Sequence, residues 1–123
     1  MFRLARIAWG MTILYWLTIF GGTHIPAPKL PPTISDKTIH TVIYGLLATS
    51  LMVSLHLSGK LNPGTGITVL AICLAYGAID EWTQLLVNRS CELADWYADA
   101  AGAGVGVVLV TLIVRTLYHS RHG

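Results

Sequence analysis

The apolar positions of this chain gather into four long runs, residues 4–20, 40–57, 66–87 and 96–118, with polar residues concentrated toward their ends. Each run approaches the roughly 20 residues that a helix needs to cross a hydrocarbon core about 30 Å thick. The pattern predicts an all-α fold: an integral membrane four-helix bundle forming a single domain over residues 1–123. Helix-breaking residues stand between the runs: Gly21 and Gly22 followed by Pro26, Pro28, Pro31 and Pro32; a polar stretch from Ser58 with Asn62, Pro63 and Gly64; and Asn88, Arg89 and Ser90. The proline-rich connection is expected to be extended and to lie along the membrane surface. Arg3 and Arg6 stand before the short apolar core of the first run as in a secretory signal, but no small-x-small cleavage pattern follows Phe20, so the run reads as a signal anchor.

Composition strengthens the membrane reading. Of 123 residues, 54% are hydrophobic and only 11% charged, against about 25% charged in an average soluble domain, which leaves too little polar cover for a surface facing water. The net charge of +2 is carried by scattered cations. That argues against nucleic acid as a partner, because phosphate-backbone binding needs a basic face. Cys73 lies in an apolar run and reads as buried packing, while Cys91 reads as a free thiol near the membrane surface; the pair sets out no disulfide framework or thiolate metal site.

Charge distribution orients the bundle. Arg3, Arg6, Lys60, Arg115 and Arg121 fall on one side, Lys29, Lys37 and Arg89 on the other. The bias implies a multi-pass protein of the cytoplasmic membrane with both termini cytoplasmic. Every acid in the chain, Asp36, Asp80, Glu81, Glu92, Asp95 and Asp99, then lies toward the outer surface. Trp16, Trp82, Trp96 and Tyr97 fall near the same boundary and read as interfacial belt residues.

Helical spacing brings these polar groups into register. Glu81 and Gln84 share a face at i, i+3, and Asp95, Asp99, Gly102 and Gly106 form one stripe. A carboxylate at membrane depth costs roughly 2.5–3.5 kcal/mol on insertion scales. The stripe must therefore face protein, opposite donors such as Lys37, His40 and Arg89. Gly102 and Gly106 form a small-xxx-small pattern that permits close helix packing, within the monomer or between monomers. Ser35 or Asp36 suits the start of the second helix, after which Lys37, His40 and Tyr44 follow along roughly one side.

Asp36-Lys37-x-x-His40-x-x-x-Tyr44, then Tyr76-Gly77-Ala78-Ile79-Asp80-Glu81-x-x-Gln84, Arg89, Asp95, Asp99 and Gly102, closely resemble the VanZ-like family of small membrane proteins. Each motif alone is weak; their order and spacing across three helices make the resemblance specific. It runs from Asp36 through Gly106, with the leading helix similar only in kind. Asp99 departs from the asparagine usual in the family, which replaces a donor and acceptor with an acceptor when ionised. Asn88 stands where a glycine commonly precedes the arginine, and Asp80 adds an acid beside Glu81. The family takes its name from a member associated with resistance to the glycopeptide teicoplanin, an antibiotic that acts on cell-wall precursors outside the cytoplasmic membrane. The resemblance implies a fold and a place in the cell envelope, and carries no reaction with it.

Three functional classes follow. In the first, an outer-face pocket made by Asp36, Lys37, His40, Tyr44, Glu81, Gln84, Arg89, Asp95 and Asp99 binds or modulates a polar lipid head group, a cell-wall precursor or a glycopeptide, its cations engaging phosphate or carboxylate. In the second, the chain is a small accessory subunit of a larger membrane complex, its polar stripe forming only internal pairs. In the third, it is an enzyme with His40 as general acid or base at a lipid-linked phosphate or acyl bond. The carboxylates and His40 could hold a divalent cation, but no established catalytic or metal motif compels one, so neither a metal nor a cofactor is assigned. Binding ranks first.

Overall fold

The computed structural model describes residues 2–26 and 33–122, without the side chains of Arg121 and His122. Lys29, Pro28, Pro31 and Pro32, and with them the extended course expected of the first connection, lie outside the described residues, as does the side chain of Arg121. The described residues fold into four α-helices: α1, Phe2–Thr23; α2, Asp36–Leu57; α3, Thr65–Gln84, continued by a 3-10 turn over Leu85–Val87; and α4, Leu93–His122. All four are long and apolar enough to cross a membrane, and their sides expose Leu14, Leu17, Leu46, Ile67, Val105 and Leu112 as lipid-facing residues would be.

The helices extend beyond the apolar runs because their ends find polar partners. Ser35 caps α2, its Oγ accepting from the Thr38 backbone N–H at 3.1 Å. The backbone N–H of Glu92, at the start of α4, donates to Glu81 Oε2 at 3.1 Å, so a carboxylate from α3 satisfies a free donor at a helix N-terminus. Gly21 and Gly22 do not break α1, contrary to the sequence expectation. The helix continues to Thr23, whose hydroxyl contacts the Ile19 carbonyl and Asp80, and whose own carbonyl accepts from Arg89. Tertiary anchoring outweighs the low helical propensity of two glycines.

The core runs along α2, which packs most closely on α4. Tyr44, Leu47, Ala48 and Leu51 of α2 meet Val69 and Cys73 of α3 and Ala103 and Val110 of α4. The close approach depends on glycine. A Cβ on Gly102 would overlap the Thr41 carbonyl, and one on Gly106 would press on the Gly45 carbonyl, Thr49 and Ala48. The small-residue stripe therefore serves α2–α4 packing inside the monomer. Cys73 is buried and Cys91 exposed, both free.

The helices alternate in direction. Trp9 Nε1 donates to Ser58 Oγ at 3.0 Å near the start of α1 and the end of α2. At the other end, Thr23 reaches Asp80 and Lys37 reaches Asp95. The second of these is the polar end of the bundle, and all the acids sit there.

Candidate functional site

The polar end resolves into a rim, a buried centre and a groove. On the rim, Lys37 Nζ donates to Glu92 Oε2 at 3.1 Å and to Asp95 Oδ1 at 3.0 Å, linking the start of α2 to the start of α4. Lys37 is half exposed, whereas Asp95 is buried. The hydrogen bond from Lys37 and then its charge, with a further bond from Ser90, hold the Glu92 carboxyl below its ordinary range.

The centre is built around His40. Its Nδ1 lies 2.8 Å from Asp99 Oδ1 and 3.8 Å from Glu81 Oε1. Gln84 Nε2 donates to Glu81 Oε1 at 3.2 Å and, more weakly, to Asp80 Oδ2 at 3.4 Å. Asp80 Oδ1 accepts from Thr23 Oγ1 at 2.8 Å and lies 3.8 Å from His24 Nδ1. His40, Asp80, Glu81, Gln84 and Asp99 are all buried. Tyr44 sits one turn below His40, fully enclosed and stacked on Tyr76 at a centroid distance of 5.9 Å.

The groove lies between α1 and α2. Asn88 takes a left-handed backbone (φ 57°), a conformation asparagine tolerates better than most residues, and ends the 3-10 turn. The Arg89 backbone N–H then bonds back to the Gln84 carbonyl at 3.2 Å, and the side chain returns across the end of α1. Its Nη1 donates to the Thr23 carbonyl at 3.0 Å, and Nη2 lies 3.8 Å from Asp36 Oδ2. Beneath this pair opens a cavity of about 390 Å³, walled by Arg89 and Asp36 at its polar end, by Ile39, His40 and Ile19 about one turn in, and by Ile43 and Tyr15 beyond them. A second cavity of about 420 Å³ continues along the same helix pair toward Met11, Thr12 and Ser54. Tyr15 lines both, its hydroxyl donating to the Ile43 carbonyl at 3.0 Å.

The nine residues singled out by sequence thus occupy one end of the bundle but not one pocket. Asp36, His40 and Arg89 border the groove; His40, Glu81, Gln84 and Asp99 form the centre, with Tyr44 below; Lys37 and Asp95 belong to the rim. Lys37 and Arg89 do not converge. Asp80, Thr23, His24, Thr83 and Glu92 complete the network, with His24 Nε2 2.9 Å from Thr83 Oγ1. The i, i+4 spacing of Asp80 and Gln84 signals the first of these, whereas the α1 residues join only through tertiary packing. Trp82 and Tyr97 are exposed, as belt residues would be, but Trp96 turns inward. Its Nε1 donates to the Leu74 carbonyl at 2.9 Å, and its ring fills the space beside Gly77. Trp16 likewise packs edge-on against Tyr76, with centroids 5.2 Å apart.

Fold and composition define a multi-pass, all-α membrane protein whose acidic residues are drawn together at one end. The chain belongs to the VanZ/LLP1 family, which it matches over residues 5–114, α1 included. No curated protein and no solved structure matches it.

Proposed function

We propose that the chain binds an amphiphile with an anionic or hydrogen-bonding head group in the groove between α1 and α2. The observation that carries this reading is the grading of the groove wall from Arg89 and Asp36 to Ile19, Ile43 and Tyr15 within about 390 Å³, with His40 between them, an apolar cleft with a few convergent polar groups. A guanidinium suits phosphate or carboxylate, and the isoleucines suit an acyl or other apolar portion. A membrane lipid, a lipid-linked cell-wall precursor and a glycopeptide antibiotic are the occupants this chemistry favours. Arg3, Arg6, Lys60 and Arg115 lie toward the opposite end of the bundle, which supports a protein of the cytoplasmic membrane with both termini inside and the groove opening toward the outer leaflet.

Native mass spectrometry of the gently extracted protein tests the reading. Retention of an anionic amphiphile by the wild type, and its loss in a folded Arg89→Ala variant, supports it. Lipid-free protein that always travels with one larger membrane complex would replace it with the accessory-subunit role.

One observation favours enzymatic use of the same groove. Asp99 holds His40 through Nδ1, while the Nε2 edge lies on the groove side, 4.0 Å from Asp36. An imidazole held in this way is placed to move a proton at a lipid-linked phosphate or acyl bond. Turnover of such a precursor, abolished by His40→Ala with the fold intact, is the result that would favour catalysis over binding.

A further inference from the structure

We infer that His40, Glu81 and Asp99 form a site for one divalent first-row transition-metal ion within the polar end of the bundle. One potential ligand atom from each residue lies within 4.8 Å of the other two. His40 Nδ1 is 2.8 Å from Asp99 Oδ1 and 3.8 Å from Glu81 Oε1. Ligand atoms bound at about 2.0–2.2 Å from a common ion sit roughly 3–4 Å apart, so small side-chain adjustments would suffice. One imidazole nitrogen and two carboxylates suit ions such as Zn²⁺, Mn²⁺ or Co²⁺ better than Mg²⁺ or Ca²⁺, which prefer oxygen alone.

Two further observations point the same way. Among the described residues, Asp99 Oδ2 and the Tyr44 hydroxyl are buried without a hydrogen-bond partner, in residues only 1% and 0% exposed. Both side chains pack around Gly77 beside the cluster, where a Cβ would lie 3.0 Å from Asp99 Oδ2 and 3.4 Å from the Tyr44 ring. Such orphaned atoms are uncommon in well-packed interiors and call for an ion or a water. Charge gives the second reason. Among the described residues no lysine or arginine pairs with Asp80, Glu81 or Asp99, so three buried carboxylates are left with the imidazoles of His40 and His24. A divalent ion at the cluster would balance the charge of Glu81 and Asp99 as carboxylates.

The alternative set, Asp36, His40 and Asp95, uses the other edge of the ring. There Asp95 already accepts from Lys37 and Asp36 faces Arg89, so cations of the chain occupy that side. His40 also borders the groove, which gives an ion a path to the centre. The site does not depend on an amphiphile occupying that groove.

The test uses the full-length protein in detergent, freed of any affinity tag, stripped with a chelator and titrated with Co²⁺ alone. The expected result is one ion per chain, with the visible absorption of nitrogen- and oxygen-coordinated Co²⁺, displaced by Zn²⁺ and accompanied by a shift of the His40 Nδ1 resonance. Asp99→Asn and Glu81→Gln should each weaken binding by more than about tenfold, while Asp95→Asn leaves it within about threefold. If either of the first two variants fails to fold, the stoichiometry and the histidine resonance of the wild type still decide. Stripped wild-type protein that takes up no Co²⁺, or takes it up with the His40 resonance unmoved, overturns the assignment.

Discussion

His40 Nδ1 lies 2.8 Å from Asp99 Oδ1, a buried contact between residues 59 positions apart that ties the first turns of α2 to those of α4. Removing either partner leaves the other without its bond in a dry setting. Asp99→Ala is expected to destabilise the bundle by about 1–3 kcal/mol, read by reversible denaturation in micelles. Asp99→Asn should cost less, because an amide oxygen can still accept from the imidazole.

Below this contact the same two helices approach backbone to backbone where Gly102 meets Thr41 and Gly45. Gly102→Ala drives a methyl group into the Thr41 carbonyl and should cost about 1–3 kcal/mol by overpacking. Among the described residues nothing lies within 4 Å of the Gly104 Cβ position, so Gly104→Ala should be neutral or slightly stabilising, consistent with alanine's higher helical propensity. Thermal unfolding of the two variants side by side checks the contrast.

Much of this arrangement was legible in the sequence because helical periodicity is local. The spacing of Lys37, His40 and Tyr44 on α2 places them along roughly one side, and that of Asp95, Asp99, Gly102 and Gly106 on α4 places them in one stripe. A carboxylate in an apolar run must turn toward protein. What periodicity does not encode is which face meets which. The separation of Lys37 from Arg89, the inward turn of Trp96, the recruitment of Thr23 and His24 by α3, and the cavity beneath Arg89 all depend on helix pairing. Gly21 and Gly22 remain helical for the same reason: the contacts that hold Thr23 come from α3 and from the residue that follows Asn88.

The rim ion pair should show itself in titration. Lys37 holds Glu92 below its ordinary value near 4.5. A carboxyl depressed in the folded state adds stability above its unfolded-state pKa, and that contribution is lost as pH falls through the lower folded-state value. Carbon-13 titration should place the Glu92 midpoint below about 4.5 in the wild type, rising toward it in Lys37→Met. The pair is exposed, so the effect on stability should be small and should shrink with added salt.

Thr23→Val removes the hydroxyl that donates to Asp80 Oδ1 at 2.8 Å while keeping the shape of the side chain. A buried carboxylate losing one of its few donors should cost about 1–3 kcal/mol. Amide exchange should show the loss as faster opening of the last turn of α1, with α2 and α4 unaffected.

The account stands or falls on whether the groove between α1 and α2 takes up an amphiphile, and a photoreactive side chain at Ile39 measures this most directly. It predicts crosslinks in intact membranes to a molecule with an anionic or polar head group, reduced by about tenfold or more when Arg89→Ala removes the guanidinium. Crosslinking that is absent, or that captures bulk lipid equally with and without Arg89, would contradict it.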